Sequence, residues 1–232
     1  MNITRLAFLP FLFLNLFSET NAQSIYGETI EAMEQRLLGD TTLYDSIGKR
    51  FYEGDSTLTN TELATLYYGH ALRKSYNSVR EDRLLDAANS LSRRGKYPET
   101  MSLMDNFLTK NPGCLTGWLE RGYTAWMVED SLQTVLNYHK YFTLLDIPLK
   151  SGTGESYEQA FIISSLRDME LVLDKLGFNI TGQSLLEKDG RNYKIVTAEK
   201  DGDKTLKQTF YFNVDLPVKR GMQQSLEQNK KK

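Results

Sequence analysis

Residues 81–148, EDRLLDAANSLSRRGKYPETMSLMDNFLTKNPGCLTGWLERGYTAWMVEDSLQTVLNYHKYFTLLDIP, decide the fold, because they repeat themselves at an offset of about 34 residues. At that offset Leu84 aligns with Trp118, Ala88 with Gly122 and Leu91 with Ala125. In the second half of each unit Thr100 aligns with Thr134, Met104 with Tyr138, Phe107 with Tyr141 and Leu108 with Phe142. Between the halves, Gly95-Lys96-Tyr97 aligns with Glu129-Asp130-Ser131. Apolar residues recur every three or four positions, as on the buried face of a helix. Each unit therefore reads as helix, turn, helix.

A period of about 34 is that of the tetratricopeptide repeat, and the chain resembles that family over Glu81 to Pro148. Gly95 and Tyr97 sit in the first turn, Asn111-Pro112 closes the first unit, and Trp118 and Gly122 occupy the family's Trp and small positions. The second unit departs from the pattern: Arg121 replaces the usual Leu, Ala125 the usual Tyr, and Asp146 the expected Pro, with Pro148 two residues later. The resemblance implies an antiparallel helical stack whose first helices line a concave groove. Groove positions by that resemblance are Leu85, Asn89 and Arg93 in the first unit and Leu119, Tyr123 and Trp126 in the second. Tyr and Trp give large contact area, and Arg and Asn direct it. The function expected is a non-catalytic binding protein or scaffold for a peptide or protein partner. In the alternative packing, Tyr123 and Trp126 lie beneath the preceding helices.

Outward from the repeat, Thr59-Asn60-Thr61-Glu62, Ser78-Val79-Arg80-Glu81 and Asp130-Ser131-Leu132-Gln133 have the capping spacing, and Pro98 suits a first helical turn. Helices are expected at Thr61–Ser75, Val79–Arg94, Pro98–Lys110, Leu115–Val128 and Ser131–Leu145, with shorter ones at Tyr26–Leu38 and Leu43–Tyr52. Two units leave apolar faces open, so neighbouring helices must cap them. After Pro148 a Gly-rich linker, Ser151 to Gly154, leads to a helix expected over Glu155–Leu176 and ended by Gly177. The period then falls to two: Leu206, Phe210, Phe212 and Val214 share one face, and Asp189-Gly190 is a two-residue hairpin signal. The fold class expected is mostly α (α+β): a tetratricopeptide-like stack at 23–148, a long helix and three-stranded antiparallel meander at 149–216, and a polar basic tail at 217–232.

Residues 1–22 read as a signal peptide, with Arg5, an apolar run from Leu6 to Phe17, and Thr20-Asn21-Ala22 before the expected cleavage. Cleavage predicts a periplasmic or secreted protein without a membrane anchor. Of the 232 residues, 28 are Lys or Arg and 30 Asp or Glu, a net charge of -2, which argues against a nucleic-acid partner. The single cysteine, Cys114, cannot form an internal disulfide, and a packing role is expected for it, since neither His70 nor His139 stands at a nucleophile-and-base spacing.

Tyr26-Gly27, Gly54 to Thr59, Leu66-Tyr67-Tyr68-Gly69, Ser151 to Ser156 with Ala160-Phe161, and Phe210-Tyr211-Phe212-Asn213, in that order, are similar to an exported Bacteroidota family known as domain of unknown function 4919. That resemblance implies an origin and an export route and carries no catalytic residue or cofactor. Direct reading of the residues finds no zinc or calcium pattern. The amides of Gly152 and Gly154 could hold an anion if a helix follows them, although a flexible connection explains the segment as well. The rival function is an exported hydrolase of glycan or envelope material, which requires two carboxylates facing across an open cleft.

Overall fold

The computed structural model describes residues 23–229, with side chains through Met222. A helical layer comes first: α1 (Ile30–Gly39), α2 (Leu43–Glu53), α3 (Asn60–Leu72), α4 (Ser78–Arg93), α5 (Tyr97–Leu108), α6 (Leu115–Met127) and α7 (Ser131–Leu149). Consecutive helices from α4 to α7 pack against one another, α4 also touches α6, and α3 meets α1, α2 and α7. A short strand β1 (Phe161–Ile162), α8 (Asp168–Leu176), β2 (Phe178–Lys188), β3 (Arg191–Lys200), β4 (Asp203–Asn213) and α9 (Asp215–Asn229) complete the chain. The architecture is α+β.

Local chemistry sets most helix ends. Thr59 and Glu62 form the reciprocal capping box, and Asp130 accepts the Gln133 amide. At α4 the cap is Asn77, whose Oδ1 accepts the Arg80 amide at 2.8 Å; the box expected on Ser78 does not form because Glu81 turns inward to His70. α7 runs past the expected end through Pro148, since Leu144, Leu145, Ile147 and Pro148 are all buried and the apolar gain outweighs an interrupted last turn.

Two corrections apply to the C-terminal half. The helix expected over Glu155–Leu176 exists only as α8, and Ala160 to Ile163 is buried at every residue because Phe161 and Ile162 pair with Phe212 and Asn213 as a parallel strand. The sheet is therefore four-stranded and mixed, in the order β1-β4-β3-β2. The hairpin expected at Asp189-Gly190 joins β2 to β3: both residues have positive φ, 53° and 73°, which the two-residue turn between right-twisted strands requires. Gly177 ends α8 in the left-handed conformation. Most of the stretch expected as a tail, 217–232, belongs to α9: Pro217 is buried, and Arg220 donates to the carbonyls of Ala71 and Leu72 at the end of α3.

The core is continuous across both layers. α3 is its centre, buried from Ala64 to Leu72 without interruption. Tyr68 donates to the Ile162 carbonyl at 3.2 Å and Tyr67 to Asp168 at 2.6 Å, joining the helical layer to the sheet. Phe178 and Phe210 meet edge to face, while Leu206, expected on the same buried face, is 51% exposed near the far end of β4.

Candidate functional site

The six positions placed in a groove by repeat geometry separate in space. Leu85 is buried in the core, which corrects its placement on a binding surface, and Leu119 is half-buried against the core. Asn89 and Arg93 are exposed on α4. Tyr123 and Trp126 lie on the outer side of α6, 36% and 60% exposed, with ring centroids 6.0 Å apart. They are not beneath the preceding helices. The next helix adds an outward row that the sequence reading did not single out: Leu132, Val135, Leu136 and Phe142 of α7 are all exposed, at the spacing of one helix face. That periodicity was readable, but only the structure shows which face of α7 is turned out.

A separate cleft of about 970 Å³ opens between the α2–α3 connection and helices α5, α6 and α7. Its floor is Trp118, buried, donating its indole N–H to the Pro112 carbonyl at 2.8 Å and packed against Phe51 and Tyr52. Lys140 Nζ stands 4.7 Å over the Trp118 ring and donates to the Tyr52 carbonyl at 2.6 Å. Burial and the nearby Arg121 charge lower the Lys140 pKa. Arg121 donates from Nε to Asp105 Oδ1 at 2.7 Å and from Nη2 to Oδ2 at 3.4 Å.

A family model described as a domain of unknown function, DUF4919, matches residues 38–223. The chain belongs to the DUF4919 family. No curated protein and no solved structure matches the chain.

In this DUF4919 chain the fold also assembles a cluster that spacing did not reveal: His70 of α3, Glu81 of α4 and Cys114, whose donor atoms lie within 4.8 Å of one another, all buried. Sequence spacing pairs neither histidine with Cys114, and the fold brings His70 to it. Arg73 Nη2 lies 3.0 Å from His70 Nδ1, and a guanidinium can only donate. Nδ1 is therefore the acceptor, and Nε2–H donates to Glu81 Oε2 at 2.8 Å. The Cys114 thiol points at Glu81 Oε1, 3.6 Å away, and burial followed by the Glu81 charge pushes its pKa well up. A metal ion on these three donors would need a lone pair on Nε2, hence a proton on Nδ1 facing the Arg73 donor. The arrangement fits a buried polar lock, not a metal centre or a nucleophile.

Asp168 forms a second buried network. Its Oδ2 accepts from Tyr67, from Ser164 Oγ at 3.2 Å and from the Ser165 amide at 3.1 Å. Burial nonetheless raises its pKa from 3.8 to about 6. The unfolded carboxyl ionises at lower pH than the native one, so this contribution to stability is fully present below the unfolded value and is lost as pH rises through about 6. Two units at about 1.4 kcal/mol each give about 3 kcal/mol. Asp168→Asn keeps the acceptor oxygen and removes the ionisation, so its stability relative to wild type should rise by that order between about pH 4 and about pH 7. Parallel urea-denaturation profiles for the two proteins across that range would contradict the assignment.

The Gly-rich segment lacks the helix that would aim amides at an anion. The Gly154 amide is donated to the Gln159 carbonyl at 2.7 Å, and a Cβ on Gly152 would lie 2.3 Å from that same oxygen. These glycines permit close chain packing, which corrects their weak anion-site placement.

Proposed function

We propose that the protein is an exported, non-catalytic binding protein that docks a partner protein on the outer face of α6 and α7. The observation that carries this reading is the paired apolar display of Tyr123 and Trp126 on one helix and Leu132 and Val135 on the next, the last two each 67% exposed. Folded proteins rarely leave large clustered apolar surface in water unless something binds it, and Trp and Tyr are the residues that most often carry binding energy. The succession of packed antiparallel helices supports a tetratricopeptide-like layout, with the partner on its outer surface instead of in the inner groove. Export rests on the leader read in residues 1–22, which lie outside the described residues.

The test is site-specific photo-crosslinking in cells of the source organism. A crosslinker at Val135 should capture one discrete partner, and a crosslinker at Leu186, an exposed apolar residue on the sheet, should not. The Tyr123→Ala/Trp126→Ala double variant, folded by circular dichroism, should reduce recovery about tenfold or more, the loss expected when two hot-spot aromatics are removed. Identical adducts from both crosslinker positions, or unchanged recovery from the double variant, would remove the assignment.

A further inference from the structure

We propose that Arg121 and Lys140 form the anion-holding end of a second binding site, which takes a carboxylate carried on an apolar body. The decisive atom is Arg121 Nη1. Arg121 is 7% exposed, its Nε and Nη2 are committed to Asp105, and Nη1 is buried with no hydrogen-bond partner among the described residues. An unpaired buried donor costs roughly 1–3 kcal/mol, and more for a charged group, so this atom destabilises the unliganded fold unless an acceptor enters the cleft. The cleft's acids do not serve it. Asp130 is turned to the Gln133 amide, Asp55 is held by Arg50 at 2.7 Å, and Glu53 faces Lys49 at 3.9 Å.

The chemistry of the walls defines the ligand. At the floor Arg121 and Lys140 face Asp105, while Glu53, Asp55 and Asp130 also line the cleft, so a single negative charge held at Arg121 and Lys140 is better tolerated than the higher charge of a phosphate. Nη1 is covered in the unliganded fold, so a small rotation of the guanidinium accompanies binding; one carboxylate oxygen then takes Nη1, and the other is left for the donors of Lys140 not engaged with Tyr52. Trp118, Phe51, Leu63 and Met101 give the otherwise polar cleft an apolar side, against which an apolar or aromatic body attached to the carboxylate packs. The volume suits a small acid or the end of a peptide. This site shares α6 and α7 with the outer apolar face, and Leu136 borders both, but Tyr123, Trp126, Leu132 and Val135 do not line it, so it stands or falls independently of the partner-docking reading.

Trp118 lies in the cleft and Trp126 is the chain's only other tryptophan, so Trp126→Phe leaves Trp118 as the sole indole reporter. In that background, phenylacetate and acetyl-Gly-Gly-Phe should change Trp118 fluorescence saturably at millimolar concentration, and phenylacetamide and the peptide amide should bind at least about tenfold more weakly, the loss expected for one charge-assisted contact. Arg121→Met should abolish the preference for the acid. Asp105 is 47% exposed and stays solvated without its partner, and Lys140→Gln, at a half-buried position, provides a second variant with the same expected loss should Arg121→Met unfold. Binding of the peptide acid alone identifies a chain terminus as the source, and binding of both acids identifies small carboxylates. No saturable response to either acid, equal affinity for acids and amides, or affinity unchanged in the folded variants would overturn the proposal.

Discussion

Gly113→Ala should cost roughly 3 kcal/mol or more of folding stability, among the largest effects of any single methyl addition in this protein. A Cβ at Gly113 would stand 2.3 Å from the Leu66 carbonyl oxygen, 2.9 Å from His70 Cβ and 3.0 Å from Tyr44 Oη. The first of these is helix backbone and cannot swing aside. The φ of Gly113 is not in the left-handed region, so the requirement is for space alone. Displacing the loop would also stretch the bond from the Gly113 amide to Tyr44 Oη, now 3.2 Å, and disturb Cys114 and the start of α6 behind it. Gly182→Ala is the control, because nothing lies within 4 Å of its added methyl; it should shift the urea midpoint only slightly. A Gly113→Ala protein as stable as that control would show that the α5–α6 connection does not bear on α3 as described.

Glu81→Leu should cost about 2–4 kcal/mol, because it strands two buried donors without an acceptor. The carboxylate is 8% exposed and takes both the His70 N–H and the Cys114 thiol. Leucine would leave those donors facing hydrocarbon. Glu81→Gln keeps an acceptor oxygen and should lose only about 1–2 kcal/mol. In a double-mutant cycle, Glu81→Leu in a His70→Leu background should cost clearly less than alone, because the stranded N–H is already gone. Additive losses would mean that the two residues do not act as a unit.

How far the sequence could be read follows from which forces act locally. Helix spans from α2 to α7 were legible because apolar spacing and caps such as Thr59 with Glu62 are written within a few residues. The α4 cap moved from Ser78 to Asn77 because Glu81 is claimed by His70, a residue on another helix. The segment from Ala160 to Ile163 misled for a similar reason: a short apolar run fits a helix or a buried strand equally until β4 supplies a partner. In the candidate sites, Tyr123 and Trp126 were legible as aromatics in a repeat, but their outward direction was not. Arg121 was visible as a charge at an apolar repeat position, and that departure was the available sign of the cleft. The meeting of His70, Glu81 and Cys114 had no local signature, because three separate elements must pack before the atoms approach.

The burial of α3 on every side has a kinetic consequence. Tyr67 and Tyr68 find their hydroxyl partners at Asp168 and Ile162, about a hundred residues further along the chain. During synthesis this helix must wait, with its apolar sides uncovered, until β1 and α8 have emerged, and closing so long a loop slows the search for the native contacts. The nascent helical layer is thus exposed to self-association for longer than its locally encoded helices suggest, and a chain cut short before Asp168 would carry that exposure permanently.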